Sequence, residues 1–202
     1  MNNYLHSHTD LPSRRERLFI ALRVPAHIQN SLRMSAEQVQ GKLDFRKWTD
    51  YRDYHITLQF LGDILVSDIG QLRKALRSVT AGFQPFELQL SGWGTFGLEE
   101  APKVLWKGVE GETDQLHLLQ KRIVDATSSL GFEAELRPYS PHITIARKFL
   151  GQDPGNEDKG IFKVLPGQFL SVNSWMVQDF VLYVTQPGQA PMYGVVDTFS
   201  FS

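Results

Sequence analysis

The chain contains no cysteine, so disulfide bonds, thiolate catalysis and the usual cysteine-bound zinc sites are excluded. It also contains no apolar run near the roughly 20 residues that a membrane span needs. The amino-terminal segment lacks the apolar core of a signal peptide, and we therefore expect a cytoplasmic protein with no membrane partner. Net charge is nearly absent as well, at −1, so any nucleic-acid chemistry must rest on a local positive site.

The composition is that of an ordinary folded protein. Of the 202 residues, 42% are hydrophobic and 21% are charged, which excludes a disordered, collagen-like or coiled-coil chain. Residues 1–15 mix polar residues, a proline and an arginine pair without periodicity, and we predict a flexible tail there. Residues 16–202 are long enough for a single domain. Within it, the polar stretch 151–160 is predicted to be a loop, either a mobile flap or a plain excursion.

One short strand pattern occurs twice, because segments 55–60 and 142–147 both begin with a His-x-Thr-x tetrapeptide. Side chains of a strand alternate between its two faces. In the first copy, alternation predicts that the inward face consists of Ile56, Leu58 and Phe60. The outward face then consists of His55, Thr57 and Gln59. In the second copy it predicts the same two faces, with Ile143 and Ile145 inward and His142 and Thr144 outward. One copy is weak evidence, but two copies in equivalent settings are much stronger.

The settings are equivalent because each motif follows an apolar run and a helical stretch at nearly the same distance. The offsets are 55 − 18 = 37 residues in the first half and 142 − 104 = 38 in the second. We therefore predict a duplicated strand-helix-strand unit. Two such halves that pack face to face bring two imidazoles and two hydroxyls into one cleft.

The rest of the pattern predicts further strands and helices. Strands are expected at 17–24, 45–48, 86–90, 103–109, 174–184 and 194–201, and helices at 26–40, at the stretch with Ile69, Leu72, Leu76 and Val79, and at 113–130. Gly92, Gly94 and Gly97 have the spacing of a phosphate-binding loop, but no amphipathic helix follows them. We therefore predict a turn that carries a buried Trp93.

Two histidines on one face suit a reaction that needs a base and an acid near neutral pH, since the ordinary imidazole pKa is about 6.5. Phosphodiester cleavage is such a reaction. One neutral histidine takes the proton of the attacking water or hydroxyl, and one protonated histidine gives a proton to the departing oxygen. Thr57 and Thr144 can donate hydrogen bonds to phosphate oxygens, and Arg147 adds a fixed positive charge.

A metal site is the weaker interpretation, because two histidines without a third carboxylate or imidazole nearby make an incomplete zinc or iron site. We therefore expect no metal and no cofactor. Trp48 and Tyr139 are candidates for stacking on a nucleobase, and packing at the edge of the core is the alternative for such aromatic residues.

The paired His-x-Thr-x motifs resemble the signature of the 2H phosphoesterase superfamily. Their flanks, 55–62 and 137–147, are similar to those of bacterial and archaeal RNA 2′,3′-cyclic phosphodiesterases, also called 2′-5′ RNA ligases. The likeness covers roughly residues 17–201. It is not complete: Gln59 and Ser140 stand where basic residues are common, and Ile145 stands where leucine is usual.

The resemblance implies an α+β fold that is bilobal and duplicated, with two antiparallel-rich sheets facing a central cleft and helices outside. It implies that His55 and His142 are the catalytic pair, with His55 as the acid and His142 as the base. Thr57, Thr144 and Arg147 are then the phosphate ligands. The implied reaction is metal-free opening of a 2′,3′-cyclic phosphate to a 2′-phosphate, with reversible 2′-5′ ligation as a side activity. The implied partners are RNA ends or small nucleotides with a cyclic phosphate, bound by a monomer without a protein partner.

Two other functions stay open at this point. A non-catalytic binder of RNA ends would share the fold, but a degenerate member is expected to lose a histidine or a threonine, and this chain keeps all four. A phosphodiesterase of small nucleotides, such as 2′-5′ oligoadenylate or cyclic-phosphate nucleotides, would carry the same four residues. The sequence does not separate it from an enzyme of RNA ends.

Overall fold

The computed structural model describes residues 14–98, 101–152, 165 and 174–202. The tail predicted at 1–15 lies outside the described residues except for its last two, and the loop predicted at 151–160 does so except for its first two. Strands and helices follow in the order β1 (Arg15–Arg23), α1 (Ala26–Gln40), β2 (Leu43–Trp48), β3 (His55–Leu65), α2 (Ile69–Val79), β4 (Phe86–Gly97), β5 (Pro102–Gly111), α3 (Thr113–Ser128), β6 (His142–Gln152), β7 (Ser174–Val177), β8 (Asp179–Thr185) and β9 (Tyr193–Ser200).

The described strands form a sheet in which every pair is antiparallel. Their order is β7-β4-β5-β6-β3-β1-β8-β9, and β2 also pairs with β6. Among the described residues, a single pair, Ile56 and Ile143, joins β3 to β6, so the sheet divides into two halves at this point. The predicted α+β fold with two antiparallel halves is confirmed, and the halves are continuous through this pair.

The two halves exchange strands along the chain. The units β1-α1-β3 and β5-α3-β6 are the predicted repeat, but β2, which follows the first helix, pairs with β6 of the second unit. The carboxyl-terminal strands divide as well, since β7 pairs with β4 whereas β8 pairs with β1. This exchange ties the two halves together around the Ile56–Ile143 pair.

The helices bury their apolar stripes against the inward face of the strands. Helical spacing places the buried residues of each helix on one side, and a fully buried leucine or isoleucine contributes about 1.5–3 kcal/mol. The buried positions include Ile28, Leu32 and Val39 of α1, Leu72 and Leu76 of α2, and Leu116, Leu119 and Ile123 of α3. They join Ile56, Ile143 and Ile145 of the two motif strands in one hydrophobic core. The opposite face of these strands is therefore left for the polar motif residues.

The predicted helices at 26–40 and 113–130 are confirmed, the second with an end two residues earlier. The turn predicted around Gly92, Gly94 and Gly97 is wrong, because β4 runs through all three positions. Gly94 is needed there for space, since a Cβ atom at this position would overlap the indole ring of Trp106 on β5. Gly94 thus allows a large ring to lie against the sheet.

Candidate active site

His55 is held by two hydrogen bonds at the start of β3. Its Nδ1 lies 2.6 Å from the main-chain oxygen of Asp53, which ends a short 3-10 helix (Tyr51–Asp53). A carbonyl oxygen only accepts, so Nδ1 carries the hydrogen and donates it. The other ring nitrogen, Nε2, lies 3.1 Å from the hydroxyl of Thr57 and accepts from it when the ring is neutral. The lone pair that a general base needs is therefore on Nε2.

His142 repeats this arrangement at the start of β6. Its Nδ1 lies 2.8 Å from the main-chain oxygen of Ser140, again two residues earlier in the chain. The ring is thereby fixed in the same tautomer, with Nε2 available for proton transfer. Thr144 has a different partner, because its hydroxyl oxygen accepts a bond of 3.2 Å from Nη2 of Arg147. The hydroxyl hydrogen of Thr144 is not used in that bond.

The Ile56–Ile143 pair sets the two motifs against each other. Because the strands are antiparallel, His55 stands across from Thr144, and Thr57 stands across from His142. All four side chains leave the face opposite the two buried isoleucines. The positive charges of Arg147 and His142 also act on His55, where both lower the imidazole pKa. The structure therefore brings the predicted catalytic pair and its predicted phosphate ligands together.

A β-bulge explains how Arg147 reaches this face. It lies five residues after His142, and regular alternation would send it to the core side. In the pairing with β5, Trp106 faces Thr144 but Leu105 faces Ala146, so Ile145 is an extra residue on β6. A bulge of this kind reverses the alternation that follows it. Arg147 is consequently exposed beside Thr144.

The first motif contains a bulge at the equivalent position. Ala21 of β1 faces Thr57 but Ile20 faces Gln59, which makes Leu58 the extra residue.

The predicted faces of Gln59 and Phe60 are therefore wrong. Gln59 is buried and accepts a 2.8 Å hydrogen bond from the hydroxyl of Thr127 on α3, while Phe60 is exposed on the cleft side. The inward positions of Ile56, Leu58, Ile143 and Ile145 are confirmed.

Burial lowers the pKa of both imidazoles, and that of His55 falls far. Burial lowers the pKa of His55 to about 4, and the neighbouring charges of Arg147 and His142 act in the same direction. The pKa of His142 is also lowered, chiefly by burial and to a smaller degree by Arg147. In both rings the bond to a main-chain carbonyl opposes the shift. His55 therefore strongly favours the neutral form.

Asp53 connects the site to the hairpin between β8 and β9. Its carboxylate is buried and accepts hydrogen bonds of 2.8 Å and 3.1 Å from the main-chain N–H groups of Met192 and Tyr193. Its main-chain oxygen holds Nδ1 of His55 at the same time. The ring of Tyr193 then meets His55 edge to face, at a centroid distance of 5.1 Å. One residue therefore positions both the imidazole and an aromatic wall beside it.

Aromatic rings flank both histidines. The ring of Phe19 lies 5.0 Å from His55, and Phe96 meets His142 edge to face at 4.8 Å. Trp106, which lies against Gly94, is 6.1 Å from His142. These rings give each imidazole an apolar surrounding, which is the physical origin of the lowered pKa values.

Tyr139 and Trp48, the predicted stacking residues, occupy different places. The hydroxyl of Tyr139 donates to the main-chain oxygen of Thr57 over 3.1 Å, and its ring packs edge to face on His117. Trp48 faces Ala146 across β2 and β6, on the core side of the bulge, and packs against Phe45. The structure therefore does not bring Trp48 to the histidines. The stacking role of Tyr139 stays a prediction. Its hydrogen bond to Thr57 connects the segment before the second motif to the first motif.

Within the described ranges, no three histidine, aspartate or glutamate side chains form a group that could hold a metal ion. No helix in the part of the chain that the structure describes is long and apolar enough to cross a membrane.

Sequence patterns gave no indication of several residues at this site. Pairing and turn contacts between distant parts of the chain bring Phe19, Tyr193 and Asp53 to His55. Asp53 and Met192, which share a hydrogen bond, are 139 positions apart in the sequence. The position of Asp53, two residues before a motif histidine, is the one local signal. Ser140 stands at the same distance before His142, and both use only the main-chain oxygen for the ring.

Comparison with known proteins agrees with this geometry. Residues 22–106 and 108–159 match the family described as LigT-like phosphoesterase. The RNA 2′,3′-cyclic phosphodiesterase of Geobacillus stearothermophilus is 36% identical over 92% of this chain and 57% of that protein. The protein of that name from Bacillus subtilis is 31% identical over 95% of this chain and 100% of its own length. The chain thus spans little more than half of the first relative and all of the second.

Solved structures show the same fold. Escherichia coli LigT in complex with 3′-AMP has a TM-score of 0.70 at 20% identity, over 94% of this chain and 99% of that one. TT0787 of Thermus thermophilus has a TM-score of 0.69 at 24% identity, over 92% and 97%. The fold and the paired His-x-Thr-x strands are those of a 2H phosphoesterase. More narrowly, the chain belongs to the LigT-like phosphoesterase family.

Proposed function

We propose that this protein hydrolyses the 2′,3′-cyclic phosphate at RNA ends to a 2′-phosphate. The observation that carries the proposal is the pair of imidazoles held in the same tautomer, with two threonine hydroxyls and Arg147 on the same face. The relatives named RNA 2′,3′-cyclic phosphodiesterase support this substrate. A cyclic phosphate is small and anionic, which suits a site where Arg147 supplies a positive charge.

The reaction needs one proton removed and one proton supplied. Water attacks phosphorus in line with the 3′ oxygen, and the base takes a proton from the water as the new P–O bond forms. The bond from phosphorus to the 3′ oxygen breaks, and the acid gives its proton to that oxygen. The products are a 2′-phosphate and a 3′ hydroxyl, and the two histidines exchange protonation states.

The difference in burial favours His55 as the base and His142 as the acid. With a pKa of about 4, His55 is neutral at physiological pH and its Nε2 can accept a proton. The negative charge of the bound phosphate raises both pKa values, and the less buried His142 regains a proton first. This division reverses the one that the family resemblance favoured, which stays a prediction for experiment to decide.

The phosphate oxygens take hydrogen bonds from the remaining motif groups. When substrate enters, the hydroxyl of Thr57 turns from Nε2 of His55 to a non-bridging oxygen, which frees the lone pair for water. Thr144 donates its unused hydrogen to the other oxygen, and Arg147 neutralises the charge that develops. In this scheme Arg147 and the acid do the work that a metal does in other phosphoesterases, so the reaction proceeds without a metal.

Product analysis tests the proposal. An oligonucleotide with a 2′,3′-cyclic phosphate is incubated with the protein in EDTA, and the ends are identified as 2′- or 3′-phosphates, with His142→Ala as the control. A 2′-phosphate formed in EDTA supports the proposal. No turnover by the wild type supports a binder of RNA ends, and loss in EDTA with rescue by a divalent ion rules out the metal-free reaction.

The same assay with added 5′-hydroxyl RNA measures 2′-5′ ligation, in which the 5′ hydroxyl takes the place of water. The 5′ oxygen bonds to phosphorus, the bond from phosphorus to the 3′ oxygen breaks, and the acid gives its proton to the 3′ oxygen. A monomeric state and a cytoplasmic location stay predictions. Comparing mononucleotide and oligonucleotide substrates separates an enzyme of RNA ends from one of small nucleotides.

A further inference from the structure

Lys47 on β2 is paired with Arg147 on the neighbouring strand β6. Side chains of a directly opposed antiparallel pair leave the same face of the sheet. Arg147 lies on the cleft face beside Thr144, whereas Trp48, the next residue of β2, faces Ala146 on the core side. Lys47 and Arg147 are both exposed. The cleft face therefore carries two cationic side chains on neighbouring strands.

A kink in β6 separates this cationic pair from the core. Lys148, directly after Arg147, has a φ of 62°, a left-handed conformation that is uncommon for a residue with a Cβ atom. In a regular strand Arg147 and Phe149 would share a face, because they are two residues apart. Phe149 instead packs on the buried ring of Phe45, at a centroid distance of 5.0 Å. The kink thus leaves the apolar pair on the core side and the cationic pair on the cleft side.

The side chain of Lys47 extends toward the first half of the site. Its Nζ lies 3.8 Å from Sδ of Met192, the residue before Tyr193. Tyr193 is the ring that meets His55 edge to face. The charge of Arg147 also acts on Tyr193, where it opposes the rise in the phenol pKa that burial causes. The ammonium group of Lys47 therefore stands at the edge of the cleft, close to the aromatic wall beside His55.

The charge of Lys47 is available to an anion. A thioether sulfur is only a weak acceptor, so the contact with Met192 leaves the ammonium group without a strong one. Within the part of the chain that the structure describes, no carboxylate forms an ion pair with Lys47 or Arg147. The carboxylate of Asp53, which binds the main-chain N–H of Met192, is occupied by two such groups. An anion at this edge of the cleft would therefore meet a positive charge.

The reacting phosphate is already served by other groups. In the proposed reaction its two non-bridging oxygens take hydrogen bonds from Thr57 and Thr144, and Arg147 lies beside Thr144. The ammonium group of a lysine is a point charge on a flexible stem, which suits a second phosphate at the edge of the site. In an RNA strand, the next phosphate is the diester that joins the terminal nucleotide to the preceding one.

We propose that Lys47 binds this internucleotide phosphate while the cyclic phosphate of the same strand lies between His55 and His142. This inference rests on the proposed function and narrows its substrate class to RNA strands in preference to mononucleotides. Contacts to phosphate carry no sequence information, so Lys47 adds affinity for a strand without selecting its bases. A local pair of cations also agrees with a chain whose net charge is only −1.

The test compares kcat/KM for three substrates that end in the same cyclic phosphate. They are cytidine 2′,3′-cyclic phosphate, a cytidine dinucleotide whose first sugar is 2′-deoxy, and that dinucleotide with a neutral methylphosphonate linkage. Lys47→Met removes the charge and keeps the length of the side chain, and Lys47→Arg keeps the charge. Lys74→Met, at an exposed position of α2, is the matched control with the same change of net charge. Thermal unfolding of each variant measures its effect on the fold.

Lys47→Met is expected to lower kcat/KM for the charged dinucleotide, relative to the mononucleotide, by about 2- to 5-fold, the size of one exposed ion pair. Lys47→Arg restores the ratio, and Lys74→Met leaves it at the wild-type value. The methylphosphonate linkage should cause a loss of similar size in the wild type and little loss in Lys47→Met. The slope of log kcat/KM against log salt concentration for the charged dinucleotide should become shallower by about 0.7 in Lys47→Met.

An unchanged ratio in Lys47→Met overturns the proposal. Equal losses on the mononucleotide and the dinucleotide also overturn it, because they would place Lys47 at the reacting phosphate. Equal effects of the methylphosphonate linkage in the wild type and in Lys47→Met would do the same, since another group would then bind the internucleotide phosphate. Failure of the wild type on every cyclic phosphate would instead overturn the proposed function.

Discussion

The two motif strands are built alike and surrounded differently. Each places a histidine with Nδ1 on the carbonyl two residues earlier, a threonine two residues later, and a bulge directly after that threonine. Five residues after the histidine, however, the first strand presents Phe60 and the second presents Arg147. The first imidazole is also the one whose pKa falls to about 4.

This comparison shows that two halves with the same backbone become chemically different through their surroundings. The repeated backbone gives both imidazoles the same tautomer, which by itself would make two interchangeable groups. The surroundings then push their pKa values apart, and such a separation is what assigns acid and base roles in other enzymes. If the two halves differ in function as they differ in surroundings, equivalent substitutions in the two halves should have different effects.

The largest effect is expected from removing either imidazole. His55→Ala and His142→Ala should each lower kcat on a cyclic-phosphate oligonucleotide by roughly 10²- to 10⁴-fold, the usual contribution of acid or base catalysis. A phosphodiester with an aryl leaving group needs little protonation, so it should partly rescue His142→Ala and leave His55→Ala inactive. Rescue of His55→Ala instead would restore the division favoured by the family resemblance. Rescue of neither would mean that both rings chiefly bind phosphate.

Removing the guanidinium of Arg147 comes next. Arg147→Ala should lower kcat/KM by about 10- to 150-fold, because a hydrogen bond to a charged group is worth roughly 1.5–3 kcal/mol. Arg147→Lys should recover part of the loss, since it keeps the charge without the fork. Arg33→Ala on α1, whose partner is Glu37, is the control with an unchanged rate. Equal rates in Arg147→Ala and wild type would remove Arg147 from the mechanism.

The two threonines should differ although their motifs match. Thr57→Val and Thr144→Val should each cost roughly 1 to 3 kcal/mol of transition-state stabilisation. Thr57→Val should cost more, because Arg147, which bonds to the Thr144 hydroxyl, also supports the phosphate beside Thr144. Serine at either position keeps the hydroxyl and should keep most activity. A larger loss in Thr144→Val would contradict the proposed asymmetry.

The remaining effect falls on stability rather than on rate, and it concerns Asp53, which supports the first half alone. Asp53→Asn offers one acceptor and one donor to the two N–H groups that the carboxylate now binds, so one of them loses its partner. The free energy of unfolding should fall by roughly 1–3 kcal/mol in urea titration. Asp50→Asn in the same turn is the control, because asparagine caps a helix as well as aspartate does, and the ion pair that it gives up with Arg52 lies at the surface, where such pairs contribute little. Equal stability of the two variants would show that the buried bonds contribute nothing.

Local patterns were enough for the parts of the site that depend on one strand. The outward placement of His55 and His142, the inward isoleucines and helix α1 all follow from periodicity within a few residues. The bulges were not predictable in this way, because they are visible only in the pairing with β1 and β5. As a result alternation misplaced Gln59 and Phe60.

Contacts between distant segments account for the remaining differences. The placement of β2 beside β6 and the bonds from Asp53 to the β8–β9 hairpin join residues far apart in sequence. No local periodicity encodes which strand becomes the neighbour of which. The glycines of β4 were misread for the same reason, since Gly94 leaves space for Trp106 on another strand.

The pH dependence of kcat/KM in EDTA tests the central claim, that two differently buried histidines serve as base and acid, most directly. Because its pKa is lowered to about 4, His55 becomes protonated, and fails as a base, only near pH 4. His142 fails as an acid when the pH rises through its own pKa, which lies below the ordinary value of 6.5. Because kcat/KM reports the free enzyme, we predict a bell-shaped profile with its maximum between about pH 4 and 6.5. A profile with a single ionisation, or a maximum above pH 7, would contradict the account.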